Sequence, residues 1–296
     1  MRCSLALICL VLWSVVPLGL AAEPGEGSGT ATHFGSGDDR VPPDPRQFGR
    51  GQFFDFPTWP LSKTLPNDVF TFARLRYNSG AFFMSRRGGS KWMTDYPDAD
   101  LNFSYRLQQL TSLEVNPNSV VVDIDAEQLR HYPFIYMIEP GDITLTAAEA
   151  TILREYLSNG GFIMVDDFWG FEEWDTFYVA LKQIFPEREP EELPLEHEIF
   201  HMVFPLKVKP QIPSVGAALA GRSQGVTHEW NKPGSEEVHY KGVFDDKRRL
   251  MMIICHNTDL GDGWEEEGTD PWYFREFSEK YAYPLGINIL FYALTH

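Results

Sequence analysis

The chain has 296 residues, with 25 basic and 42 acidic side chains, a formal net charge of −17, 43% hydrophobic and 14% aromatic residues, and 3 cysteines. These values exclude a collagen-like, wholly disordered or disulfide-rich small protein, and a folded part of more than about 200 residues can bury a sizeable core. The negative charge excludes a general nucleic-acid binder, because a phosphate backbone repels it.

Residues 1–22 read as a secretory signal peptide. Arg2 gives a positive start, Leu5 to Val16 is an apolar run broken by Ser14, and Gly19-Leu20-Ala21-Ala22 supplies small residues for cleavage. The run is shorter than the ~20 apolar residues of a membrane span; an uncleaved anchor is the competing reading. Cleavage predicts an exported chain, periplasmic or secreted, with no transmembrane segment. It removes Cys3 and Cys9 and leaves Cys255, which has no internal disulfide partner. Residues 23–66 hold 7 Gly and 7 Pro and read as a linker whose aromatic end, Phe53 to Trp59, can pack onto the folded body. Residues 67–296 are then a single folded domain.

That domain opens with a β-prone segment, Val69 to Tyr77. Leu101, Phe103, Leu107, Leu110 and Leu113 recur at helical spacing and predict a helix over Asp100 to Leu113, capped by Asp98 or Asp100. Short strands follow at Ser119 to Ile124 and at Pro133 to Ile138, the second apolar enough to be buried on both faces. Thr146-Ala-Ala-Glu149 is a capping box opening a helix that stops at Asn159-Gly160-Gly161. Phe162 to Val165 is another buried strand, and Glu172 to Phe185 a helix ended by Pro186. Val238 to Phe244 and Arg249 to Cys255 flank a polar turn and predict a β-hairpin; a helix near Pro284 to Leu294 closes the chain. This alternation predicts an α/β domain with a mostly parallel sheet covered on both faces and the hairpin at its edge.

Several stretches together are similar to one known family. Phe70 to Tyr77 with Asn78-Ser79-Gly80, Trp92 to Pro97, Ala99 to Phe103, Tyr132-Pro133-Phe134, Leu157 to Phe162 and His197 to His201 resemble the bacterial domain-of-unknown-function family 4159, from about Val69 to His296. The resemblance implies a flavodoxin-like three-layer sandwich of the glutamine-amidotransferase-like superfamily, and no established activity. Members of that superfamily that do amide chemistry place a cysteine at a strand-to-helix elbow. The corresponding stretch here, Val165-Asp166-Asp167-Phe168-Trp169-Gly170, has no cysteine, so thiol chemistry is not carried over.

In open α/β sheets, ligands bind outside the carboxyl ends of the strands. That rule gathers Arg76, Tyr77, Glu139, Asp166, Asp167, His256 and Asn257 into one predicted cleft. Carboxylates there can bind a cation, act as a base or accept from sugar hydroxyls. The plainer alternative makes one aspartate a helix cap and pairs the other with Arg74 or Arg76. Asp259, Asp262 and Glu265 to Glu267 follow, and the glutamates read as a solvated acidic loop. His197-Glu198-Ile-Phe-His201 matches the H-E-x-x-H zinc pattern, but Pro194 and Pro205 bracket it, and Phe204 and Lys207 stand where the metzincin continuation has Gly and the third His, so a short turn is the better reading. Arg86-Arg87-Gly88-Gly89-Ser90-Lys91 reads as an exposed basic turn. Tryptophans 92, 169, 174, 230, 264 and 272 fall in or near loops, where they either stack on sugar or protein partners or pack beneath the loops. Cys255 reads as a buried strand residue rather than a nucleophile.

The leading expectation is a non-catalytic binding domain of the cell envelope for a small ligand, a glycan or an envelope protein, with no cofactor and no metal assigned. The alternative is an extracytoplasmic hydrolase acting on a glycan or amide, with Asp166 or Asp167 as base and His256 as its partner. A purely structural part of an envelope assembly is a third possibility.

Overall fold

The computed structural model describes residues 45–47, 56–61, 63, 68–80 and 90–296. The expected signal, most of the linker and the basic residues Arg86 and Arg87 lie outside them.

Buried apolar runs make the central strands. β1 (Ala73–Arg76), β3 (Val120–Asp123), β4 (Phe134–Ile138), β6 (Phe162–Asp166) and β9 (Leu250–His256) run parallel; every residue of β4, β6 and β9 is buried. β8 (His239–Phe244) returns antiparallel to β9 and carries the two-residue β7 (Glu191–Glu192) on its outer side. The order across the sheet is β3-β1-β4-β6-β9-β8-β7, and a separate two-stranded sheet joins β2 (Asn78–Ser79) to β5 (Ile143–Thr144). The predicted hairpin is therefore present, with its inner strand lodged against β6.

Alternation along each strand divides the core in two. Phe134, Tyr136, Ile138, Phe162, Met164 and Cys255 face a layer formed by α1 (Asp98–Leu110), α5 (Val215–Gly221), α6 (Leu260–Glu265), α7 (Pro271–Tyr273), a π-helical segment (Phe274–Ala282) and α8 (Tyr283–Thr295). Ile135, Met137, Ile163, Val165 and Ile254 face α2 (Ala126–Leu129), α3 (Ala147–Ser158) and α4 (Gly170–Ile184). Fully buried Leu, Ile and Phe side chains contribute about 1.5–3 kcal/mol each by leaving water. Two faces covered by helices around a mostly parallel sheet make the flavodoxin-like three-layer arrangement. Trp59, from the aromatic end of the linker, packs against the first layer and donates its indole N–H to Val115 O at 2.7 Å.

Local signals account for most boundaries. Both reciprocal bonds of the Thr146–Glu149 capping box form, and α3 follows directly. At α1 neither Asp98 nor Asp100 is the cap: Pro97 holds that position, and Asp100 turns inward to Arg74. A buried guanidinium needs a counter-charge, and that need outweighs capping. The β-prone segment at Val69 narrows to β1, with an isolated bridge from Phe70 to Val115 before it. No helix among the described residues is long and apolar enough to cross a membrane.

Candidate functional site

Parallel pairing brings the strand ends to one border. Arg76 lies opposite Asp123 and Ile138 opposite Asp166, so the residues after β1, β4, β6 and β9 emerge together. The chain turns sharply there: Glu139, Asp167 and Asn257 have φ of 46°, 53° and 60°, a left-handed backbone that Asn and Asp tolerate better than most residues. Asp95, in the connection leading to α1, has φ of 60°.

A cleft of about 390 Å³ opens at this border, between Glu139 to Thr144, the first turns of α4 and the segment Asn231 to Pro233. Its walls mix apolar surface from Ile143, Trp169, Phe171 and Pro233 with two ion pairs. Lys91 Nζ reaches Glu139 Oε2 at 2.6 Å, and Lys232 pairs with Glu173. Glu173 also accepts from the Trp169 amide at 2.7 Å, which fixes the start of α4. Phe171 is 67% exposed and Trp230, next to the lining segment, is 74% exposed. Burial raises the Glu139 carboxyl above its usual range, against the pull of Lys91 and Thr94.

Behind the cleft lies a group of acids, with Asp167 and Asp259 buried and Asp95, Asp262 and Glu265 half-buried. One oxygen from each of Asp95, Asp167 and Asp259 lies within 4.8 Å of the other two, and Asp95, Asp262 and Glu265 form a second such trio. Asp259 Oδ1 caps α6 (Leu260–Glu265) by accepting from the Asp262 amide at 2.7 Å, and Asp167 Oδ1 accepts from the Trp169 indole at 2.9 Å. Burial first, and neighbouring carboxylates second, push Asp95, Asp167 and Asp259 well above the usual carboxylate range. Asp262 is pushed up to about 7 by the same causes, with Glu265 the foremost neighbour.

The predicted site residues separate into distinct roles. Glu139 lines the cleft, and Asp167 belongs to the acid group. Asp166 is fully enclosed; its Oδ2 accepts from the Tyr136 hydroxyl and from the amides of Leu260 and Gly261, so it ties β4 to α6. Burial pushes its carboxyl up to about 7. The Tyr77 hydroxyl donates towards the carbonyls of Ile138 and Glu139 at 2.6 and 2.7 Å and is buried. Arg76 pairs with Asp123 at 2.6 Å. Asn257 braces the cleft wall: its Oδ1 accepts from the Gly170 amide, and its Nδ2 donates to Gly234 O and Glu237 O.

His256 and Asp167 have different partners. Its ring packs against Phe168 and Trp174 at 4.8 and 5.0 Å between centroids and stacks on His239, while Nε2 donates to Gly170 O at 3.1 Å. Burial lowers its pKa to about 4, so the ring is neutral near pH 7.

The His197 motif is a single 3₁₀ turn, Glu198–Phe200, with His197 as its cap. His197 Nδ1 accepts from the Ile199 amide, and His201 Nε2 donates to Leu195 O, so the pair lacks the shared helix face a zinc protease needs. Trp92, Trp169 and Trp264 are core residues, whereas Trp230 is the strongly exposed one among the tryptophans considered. Cys255 is free and buried, and burial pushes its thiol pKa up. Asp95 was not anticipated as a site residue: it lies 72 positions before Asp167, and no spacing pattern links them.

The family model for a domain of unknown function (DUF4159) matches residues 71–294. No curated protein matches the chain.

Proposed function

We propose that the chain, which belongs to the DUF4159 family, is a binding domain that takes a hydroxyl-rich ligand, a glycan above all, in the cleft at the carboxyl border of its sheet, without covalent catalysis. The observation that carries this reading is the cleft itself. Its volume of about 390 Å³ is within the range of small-ligand pockets, and its walls combine apolar surface with a few fixed polar groups. Exposed Phe171 and Trp230 offer flat rings of the kind that cover the apolar faces of sugars. Lys91–Glu139 and Lys232–Glu173 supply donors and acceptors for hydroxyls.

Hydrolysis by an Asp167–His256 pair has less support. The contacts of His256 are with Phe168, Trp174, His239 and Gly170, and those of Asp167 are with Trp169 and the other acids. The relationship to glutamine-amidotransferase-like proteins belongs to the same proposal. A parallel core with helices on both faces supports it, with acids at the turn where amide-cleaving members carry a cysteine. We also place the domain outside the cytoplasm, on the apolar run and small residues of positions 1–22.

Calorimetric titration of the purified chain with neutral and amino-sugar oligosaccharides tests the reading. Binding is expected for the wild type, and Phe171→Ala and Lys232→Ala are each expected to weaken it about tenfold, the factor equivalent to ~1.4 kcal/mol. No binding by the wild type, or unchanged affinity in both variants, overturns the cleft assignment. Release of new reducing ends during incubation overturns its non-catalytic part. Amino-terminal sequencing of exported protein checks cleavage after Ala22.

A further inference from the structure

The acids behind the cleft present a charge problem that neighbouring side-chain cations do not solve. Asp167 and Asp259 are 7% and 5% exposed, and Asp95 shares an oxygen spacing of no more than 4.8 Å with both. Among the described residues no salt bridge reaches these three. Arg74 and Lys91, whose charges act on this region, bond instead to Asp100 and Glu139. Like charges at this spacing in a poorly solvated place repel strongly, and either protons or a cation must balance them.

A second observation favours the cation. Asp95 Oδ2 is enclosed and has no hydrogen-bond donor. It is pressed against α6 so closely that a Cβ on Gly261 would lie 2.4 Å from it and 2.9 Å from the Tyr136 hydroxyl. An enclosed carboxylate oxygen without a donor is costly unless something electropositive meets it. Asp166, the residue before Asp167, likewise keeps Oδ1 enclosed and without a partner. The two acid groups share Asp95, and Asp95, Asp262 and Glu265 are half-buried, whereas Asp167 and Asp259 are buried.

We infer that Asp95, Asp167 and Asp259 form a binding site for a divalent cation of the hard, oxygen-seeking class, Ca²⁺, Mg²⁺ or Mn²⁺. The spacing fits: oxygens bound to one ion at about 2.3–2.6 Å lie at most about 5 Å apart. The ligand set is all carboxylate, with neither imidazole nor thiolate, which disfavours zinc. Asp262 and Glu265, half-buried and grouped with Asp95, assist capture. This site does not depend on what the cleft binds. By fixing Asp167, a bound ion would also fix the Trp169 indole that donates to it, and Trp169 lines the cleft.

The test uses the full chain, stripped with chelator and then titrated separately with CaCl₂, MgCl₂ and MnCl₂, with no sugar present. At least one ion is expected to bind the wild type with Kd below about 1 mM, the range of extracellular calcium modules, and to raise its Tm by mass action. Asp95→Asn and Asp259→Asn are expected to weaken that binding about tenfold or more. Each should also raise the Tm of the ion-free protein, because each removes a repelling charge. This opposite movement in the presence and absence of ion distinguishes a ligand from a residue needed only for folding. Phe171→Ala is expected to leave ion binding unchanged, so failure of the cleft reading and failure of the ion site are separable. The inference is overturned if none of the three ions binds the wild type below about 1 mM, or if Asp95→Asn and Asp259→Asn bind it as the wild type does.

Discussion

Arg74 on β1 and Asp100 in the first turn of α1 meet with both side chains wholly enclosed, Nε donating to Oδ1 at 3.0 Å. Nη2 also donates to Asp100, and Nη1 donates to the carbonyls of Trp92 and Thr94, so one residue ties the sheet, α1 and the segment that carries Asp95. Removing one partner of such a pair leaves an uncompensated buried charge. Arg74→Met is therefore expected to cost about 3–5 kcal/mol in urea unfolding, and the double variant Arg74→Met/Asp100→Leu to recover a large part of that loss. A cost for the single variant below about 1 kcal/mol, the level of an exposed pair, would contradict the arrangement.

Acid should destabilise the fold through His256. Its pKa is lowered from 6.5 to about 4 in the folded state, so the unfolded chain takes up a proton first as pH falls. The stabilisation is fully present above pH 6.5 and is lost as pH falls to about 4, with a total of about 3 kcal/mol at 1.36 kcal/mol per pKa unit. His256→Phe should flatten that part of the stability profile. A variant profile that tracks the wild type between these limits would remove His256 as the cause.

Gly170 begins α4 with φ of 73°, and a Cβ there would come within 2.5 Å of Pro233 O. Gly170→Ala combines left-handed strain with a clash against the cleft wall, and should cost about 2 kcal/mol or more. The damage should extend to cleft binding, because the Phe171 amide donates to Pro233 O at 3.0 Å. Thermal unfolding and the sugar titration, run on the same preparation, check both effects.

Thr146→Ala provides a contrasting, local change. It deletes the hydroxyl that accepts from the Glu149 amide and should cost about 1 kcal/mol without altering cleft or ion binding. A loss of binding in this variant would mean that α3 is coupled to the site through contacts other than those described.

Residue pattern carried much of the fold. The apolar runs at Phe134 and Phe162, the Thr146 capping box and the hairpin around Asp245 each have one local solution, and the structure adopts it. The candidate site was less legible because side-chain direction at a strand end depends on whether alternation continues. It does at Asp166, which faces Tyr136, and at His256, which packs on α4 with Trp174. It breaks at Asp167, whose left-handed backbone escapes the alternation. Asp95 was least legible of all, since its position comes from the chain path before α1 and from Arg74 holding the Thr94 carbonyl at 2.6 Å.

The outer border of the sheet has a consequence for how this protein meets others of its kind. β7 is only Glu191 and Glu192, both exposed and surrounded by charged partners that include Arg248, Lys209 and Lys241. So short and so ionic a margin offers almost no free backbone ladder to a foreign strand, and desolvating it would break several ion pairs. Stacking of copies edge to edge into a continuous ribbon is thereby discouraged on that side, even at high local concentration.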